Sequence, residues 1–167
     1  MGYQLIETIE VGSGGAASIE FTGIPQDGVD LQVLLSARGA NSGNYNPVYI
    51  RFNSVTSGYL YCNLFGNGSA VTSDANSSSA IETIIPTASA TSLVFGSINL
   101  KISNYASSTN KSLSLDCVTE NNATSSIQRI TAGAWANTSA ITSMQIITSG
   151  GNLVEHSTAS IYKITAD

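Results

Sequence analysis

The side chains that carry out catalysis in most enzymes are few in this chain. There is one histidine, His156, so any histidine-dependent nucleophile or metal site must use it. Its neighbours, GGNLVEHSTA, have the composition of a loop that leads into the last strand. Serine is abundant, but the Gly-x-Ser-x-Gly pattern that places a nucleophile on a sharp turn is absent. The sequence therefore favours an exposed histidine over a catalytic one.

Carboxylate pairs, which glycoside hydrolysis requires, are present but poorly placed. Glu7 and Glu10 fall on opposite faces of a strand, because side chains on a strand alternate with a period of two. Solvated charges on turns and strand ends explain the other close pairs, Asp27 with Asp30 and Asp116 with Glu120. We therefore expect no catalytic residue and no enzymatic activity.

Metal and cofactor sites have equally weak support. Zinc needs clusters of thiols or imidazoles, and Cys62 and Cys117 are isolated from each other. The segment GNGS at 66–69 lacks the lysine of a phosphate-binding loop. Calcium binds oxygen ligands, and one segment offers several of them: Asp116, Glu120, Asn121 and Asn122. These residues do not have the spacing of a calcium-binding loop. We expect no metal site, no cofactor-binding residue and no cofactor.

The two cysteines lie inside strand patterns, in YLYCNLF and LSLDCV. Free cysteine is commonly a small buried hydrophobic residue. The sequence favours two free thiols, and a disulfide between neighbouring strands remains the alternative.

Aromatic residues provide a more informative pattern. Four of the seven tyrosines, Tyr45, Tyr49, Tyr59 and Tyr61, are close in sequence. Rings with polar tips are enriched at protein interfaces and suit the flat faces of sugars. The four tyrosines are therefore a candidate aromatic contact surface, with the alternative that they cap the ends of a core. We expect Trp135 to be a core residue.

The composition limits the partners. Only 10% of the 167 residues are charged and the net charge is -5, whereas about 25% of residues are charged in an ordinary domain. The six basic residues are scattered, so they form no stripe that neutralises phosphates, and we expect no nucleic-acid partner. No apolar run has the length of a membrane span, and we expect no membrane partner. A surface so poor in charge suits permanent assembly or a neutral ligand such as a glycan.

The elements that must position these residues are strands. In the stretch 95–120, apolar residues alternate with polar ones along two arms, which predicts a long antiparallel hairpin with one dry face. The predicted inward rows are Ile98, Leu100 and Ile102 on the first arm, and Leu113, Leu115 and Cys117 on the second. Similar alternation from 3 to 164 predicts an all-β fold, an antiparallel β-sandwich of the jelly-roll type, formed by a single domain over 1–167.

Three further segments carry specific expectations. The most apolar strand, 31–37, is expected near the centre of a sheet. Residues 66–80, rich in Gly, Ser and Asn, are expected to form a surface loop. In the first strand, Leu5 is expected on the same face as Ile9, with Ile6 on the other face.

Several short motifs together resemble small β-sandwich virion proteins of tailed bacteriophages, which are frequent in phages of aquatic hosts such as cyanobacteria. They are FTGIP at 21–25, DLQV at 30–33, SAR at 36–38, IRFN at 50–53, ISNYA at 102–106 and STASIYKI at 157–164. The family often has Gly where this chain has Lys163. The resemblance implies a jelly-roll structural protein with no catalytic residues.

Two functions follow from this resemblance. The first is a capsid decoration or cement protein, a homotrimer that binds the phage major capsid protein on the exterior of the virion after assembly in the host cytoplasm. The second is a tail-fibre or receptor-binding module that recognises a host glycan. Because chain termini are ordered only when something holds them, the first strand is the expected oligomer or capsid contact, through Tyr3, Leu5 and Ile6.

Overall fold

The protein folds as two antiparallel β-sheets packed face to face. The computed structural model describes residues 2–122 and 126–166, which contain no helix, and the ends of the predicted domain at 1 and 167 lie outside them. The strands are β1 (Gly2–Glu10), β2 (Ser18–Phe21), β3 (Asp30–Ala37), β4 (Asn46–Phe52), β5 (Tyr59–Gly66), β6 (Val71–Ser78), β7 (Ile81–Ile85), β8 (Gly96–Ile102), β9 (Lys111–Glu120), β10 (Ser126–Trp135), β11 (Met144–Thr148) and β12 (Thr158–Thr165).

The two sheets differ in size. The large sheet has eight strands in the order β1-β12-β3-β8-β9-β10-β5-β6, and the small sheet has four in the order β2-β11-β4-β7. Inward rows from both sheets form one continuous hydrophobic core. The predicted all-β antiparallel sandwich is therefore confirmed. The apolar strand β3 lies inside the large sheet, between β12 and β8, as predicted.

The hairpin of β8 and β9 has the register that its alternation predicts. Leu100 faces Leu115, and both side chains are buried. The flanking pairs are Ile98 with Cys117 and Ile102 with Leu113, which are also buried. Opposed apolar side chains on one face of a pair are the unit that stabilises a sheet.

An aromatic cluster fills the core where the small sheet ends. Trp135 is fully buried, with its ring centroid 5.4 Å from that of Phe52 and 6.1 Å from that of Tyr59. The Tyr59 hydroxyl accepts a hydrogen bond from the Phe52 amide at 2.7 Å and donates one to the Val55 carbonyl at 3.1 Å. The prediction that Trp135 belongs to the core is confirmed.

The segment expected to be a loop at 66–80 contains a strand. Residues Val71–Ser78 form β6, which pairs with β5 along its whole length. Side chains of β6 are exposed on both faces, because the small sheet does not extend beneath this edge of the large one. Apolar alternation was absent because neither face of β6 is buried, and the strand is held by its backbone ladder to β5.

Candidate functional site

The first strand, predicted to be a contact element, is an edge strand with a bulge. Its register on β12 shifts between Leu5 and Glu7, so Ile6 is the extra residue. Tyr3 and Leu5 are exposed, whereas Ile6 and Ile9 pack against the core. The expectation that Leu5 shares a face with Ile9 is therefore wrong, because the bulge reverses the alternation. Tyr3 and Leu5 remain accessible to a partner, and Ile6 is partly buried.

The four tyrosines do not form one surface. Tyr59 and Tyr61 are buried, and burial raises the pKa of both hydroxyls. Tyr49 is half-buried on the small sheet. Tyr45, in the segment between β3 and β4, is exposed. The predicted contact surface is therefore wrong for Tyr59 and Tyr61, whose rings face the core while Leu60 and Cys62 face outward.

A surface that the sequence did not reveal lies on the outer side of β10, β5 and β6. The register places Ile130 opposite Leu64 and Ala132 opposite Cys62. Cys62 in turn lies opposite Ala75 on β6. We call this surface the apolar face; its members are Leu60, Cys62, Leu64, Val71, Ala75, Ile130, Ala132 and Ala134. A shallow depression of about 540 Å³ lies on it.

At this end of the large sheet, polar side chains occur on the inward face and apolar side chains on the outward face. The row that points inward from β5 and β10 includes Asn63, Arg129 and Thr131, which are buried. Thr131 donates to the Asn63 amide oxygen at 2.7 Å, and Arg129 forms an ion pair with Glu82 at 2.7 Å. The outward residues beside them, Cys62, Leu64, Ile130 and Ala132, are exposed. An antiparallel sheet with one solvated face normally has polar residues on that face, so these apolar side chains depart from the usual pattern.

Most of the basic residues are buried, which leaves the outer surface poor in positive charge. Four of the six are buried, namely Arg38, Lys111, Arg129 and Lys163. Lys163 pairs with Asp27 at 2.6 Å. Lys111 donates to the backbone carbonyls of Ser107 and Thr109, and burial lowers its pKa. Lys111 and Lys163 thus bind residues of loops, and Arg129 binds Glu82 on β7.

Arg38 fixes the loop between β7 and β8. Its guanidinium donates four hydrogen bonds of 2.5 to 3.2 Å to backbone carbonyls of that loop, those of Ala88, Ala90, Thr91 and Val94. The carboxylate of Glu120 accepts hydrogen bonds from the amide and the hydroxyl of Thr91. The loop thus holds Leu93 at a φ of 62° with 81% of the residue exposed.

A second depression lies beneath the overhanging end of the large sheet. This cleft, of about 390 Å³, is formed by the segment between β3 and β4, the turn between β5 and β6, and the adjoining ends of β9 and β10. We call it the aromatic cleft, because Tyr45 and Phe65 line it with ring centroids 5.8 Å apart. Its other lining residues are Asn44, Asn67, Ser69, Asn121 and Ile127.

The histidine and the cysteines considered for chemistry do not form one site. His156 is exposed, and its Nδ1 lies 3.0 Å from a carboxylate oxygen of Glu10, which raises the pKa of the imidazole. Cys62 is exposed and Cys117 is buried, and both are free thiols. Within 2–122 and 126–166, no three His, Cys, Asp or Glu side chains are grouped to hold a metal ion. In the same residues, no helix is long and apolar enough to cross a membrane.

Comparisons with known proteins found no match for the chain. No protein-family model matches it, no curated protein matches it, and no solved structure matches it. The resemblance to phage virion proteins therefore stays a prediction based on short motifs.

Proposed function

We propose that this protein is a structural subunit of a bacteriophage virion, a decoration or cement protein that assembles as an oligomer on the capsid shell. The observation that carries the proposal is the apolar face. Contiguous exposed apolar patches are uncommon on soluble domains, and the larger ones mark contact sites. The members of the apolar face carry no charge, and Asp116 on β9, opposite Ile130, is the carboxylate at its border. A neighbouring subunit that packs on this face therefore meets little like-charge repulsion despite the net charge of -5.

The strand pairing supports the finer classification as a jelly roll. Without the hairpins β5–β6 and β9–β10, the sheets have the orders β1-β12-β3-β8 and β2-β11-β4-β7. The pairs are then nested, with β1 beside β12, β2 beside β11, β3 beside β8 and β4 beside β7. A long hairpin rolled into two sheets gives this nesting, which is the arrangement of a jelly roll. The two extra hairpins extend the sheet that carries the apolar face.

The occupant of the apolar face in this proposal is a second copy of the chain. The edge beside it, β6, is exposed on both faces and has neither Lys nor Pro, two residues that often protect an edge from pairing. Its one charged residue, Asp74, accepts hydrogen bonds from Asn63 and Asn76. The opposite edge of the same sheet, β1, is bulged but presents Tyr3 and Leu5. Contacts between unlike edges close into a ring when the rotation between neighbours closes, and otherwise they extend into a filament. The ring in this proposal is a homotrimer around a local threefold point of the shell.

Light scattering on the purified full-length chain tests the oligomer. We expect a mass about three times the 17.3 kDa of one chain at micromolar concentration. A monomer at that concentration would overturn the trimer.

Electron microscopy with gold-coupled antibodies tests the location on intact virions. Label over the head supports the decoration role. Label confined to the tail would replace it with the tail-fibre role, and unlabelled virions would refute both.

A further inference from the structure

We propose that the aromatic cleft is a binding site for a neutral oligosaccharide. This inference does not depend on the assembly role, because the cleft lies on the inner side of the overhanging sheet and the apolar face on its outer side. Its volume of about 390 Å³ falls within the range of about 300–1,000 Å³ that is usual for small-molecule sites. None of its lining residues is charged.

The aromatic part of the cleft is suited to stacking on a sugar ring. Tyr45 is 39% exposed, and Phe65 packs against it with an angle of 57° between the ring planes. Phe65 therefore supports one side of the tyrosine while the rest stays open. An aromatic ring with a polar tip offers an apolar platform for the C–H face of a sugar and a hydroxyl for hydrogen bonding.

The polar part of the cleft has spare hydrogen-bonding capacity. Asn67 uses its amide oxygen to accept from the backbone amides of Ser69 and Ala70, at 3.0 and 2.9 Å. Because both partners are N–H donors, the atom that they contact must be the Asn67 amide oxygen. The Asn67 NH₂ group is then on the other side of the amide and can act as a donor. The Asn44 side chain is exposed beside Tyr45. Amides of this kind recognise sugar hydroxyls as both donors and acceptors.

The segment that carries Tyr45 is held in place before any ligand arrives. Asn46 is fully buried, and its side chain bonds to the Gly150 carbonyl at 3.1 Å and the Ser149 hydroxyl at 2.9 Å. Thr87 donates to the Gly43 carbonyl at 2.5 Å. A site that is already ordered loses less conformational entropy on binding.

The absence of charge among the lining residues defines the ligand class. A carboxylated or sulfated glycan would find no cation in the cleft and would be repelled by the net charge of -5. The cleft therefore fits hydroxyl-rich, uncharged sugars.

Nuclear magnetic resonance titration of the isotope-labelled full-length chain tests the site. The probes are maltose, cellobiose, lactose and chitobiose, with digalacturonic acid as the acidic comparison. We expect saturable shifts at millimolar concentrations of at least one neutral probe, confined to residues 43–46 and 65–69. Digalacturonic acid should give none. Shifts with the acidic probe alone, or no shift with any neutral probe, would overturn the proposal.

Variants inside and outside the cleft distinguish stacking of the sugar on Tyr45 from an effect that any exposed tyrosine would have. Tyr45→Ala should weaken binding of the neutral probe about tenfold, as the loss of one stacking contact does. Asn67→Ser should weaken it to a lesser extent, because a hydroxyl preserves part of the turn. Tyr3→Ala removes an equally accessible tyrosine on β1 and should leave binding unchanged. Equal effects of Tyr45→Ala and Tyr3→Ala would refute the site.

Discussion

Leu64 on β5 and Ile130 on β10 lie directly opposite each other, with 51% and 46% of each residue exposed to solvent. Apolar cross-strand pairs normally stabilise a sheet by facing a core, yet this pair faces outward. The buried row behind it contains Asn63, Arg129 and Thr131. The pair therefore lies at a surface where a partner would bury exposed apolar side chains.

Replacing this pair should dissociate the oligomer without unfolding the subunit. The double variant Leu64→Ser/Ile130→Ser should raise the dissociation constant at least about tenfold, because central apolar contacts dominate interface energies. The matched control is Leu34→Ser, which removes an exposed leucine from the same sheet outside the apolar face. Sedimentation measures both. Equal dissociation of the variant and the control, or no dissociation of either, would contradict the assignment.

The core hairpin gives a prediction about stability. Leu100→Ala and Leu115→Ala should each lower the free energy of unfolding by about 2–5 kcal/mol, because both remove buried methyl groups from a packed face. Lys101→Ala should change it by less than about 0.5 kcal/mol, since the lysine of the 3.5 Å pair with Asp30 is exposed to solvent. Denaturant melts compare the three variants. Similar losses for all three would show that the register is wrong.

Arg38 should be indispensable for the loop that presents Leu93. In Arg38→Lys a single ammonium replaces a planar group that reaches four carbonyls. We expect a loss of about 2–4 kcal/mol in the free energy of unfolding, with faster amide exchange at 88–94. The control is Arg51→Lys, which loses one exposed bond to the Ser79 carbonyl. Unchanged exchange at 88–94 in Arg38→Lys would contradict the role of the guanidinium.

His156 provides a prediction about pH. Its hydrogen bond to Glu10 raises the pKa of the imidazole, so the protonated form is favoured in the folded protein. The resulting stabilisation is fully present below the ordinary histidine pKa and is lost as the pH rises through the raised value. Glu10→Gln should return the pKa, measured from the imidazole proton resonances, towards the ordinary value. Glu155→Gln removes a nearby charge without a hydrogen bond and should lower the pKa less; the reverse order would be inconsistent with the pairing.

The sequence predicted the fold where one side of a strand is apolar and the other polar. The hairpin around Leu100 and Leu115 meets this condition, and its register is as expected. In YLYCNLF both sides are apolar, so alternation cannot say whether Tyr61 or Cys62 faces the core. Apolar residues on both sides of this strand were the feature of the sequence that could have indicated the apolar face. The bulge at Ile6 leaves no trace in the order of apolar residues, which explains the misplaced Leu5.

The burial of the basic residues could not be predicted from sequence patterns. Arg38 and Lys111 are held by backbone carbonyls, which every residue has, so no partner side chain identifies them. Tyr45 and Phe65 are likewise distant in sequence, and their rings come within 5.8 Å of each other only in the folded chain. The aromatic cleft is therefore a product of the topology.

The buried cations have a practical consequence for labelling chemistry. Of the three lysines, Lys111 and Lys163 are buried, which leaves Lys101 as the accessible amine among them. Cross-linkers that join lysines to lysines will therefore report few neighbours of this subunit, however tightly it is packed. Cys62 is the accessible thiol of the two and lies within the apolar face. A maleimide reagent will therefore react with Cys62 in a free subunit and fail to react where a neighbouring subunit covers that face.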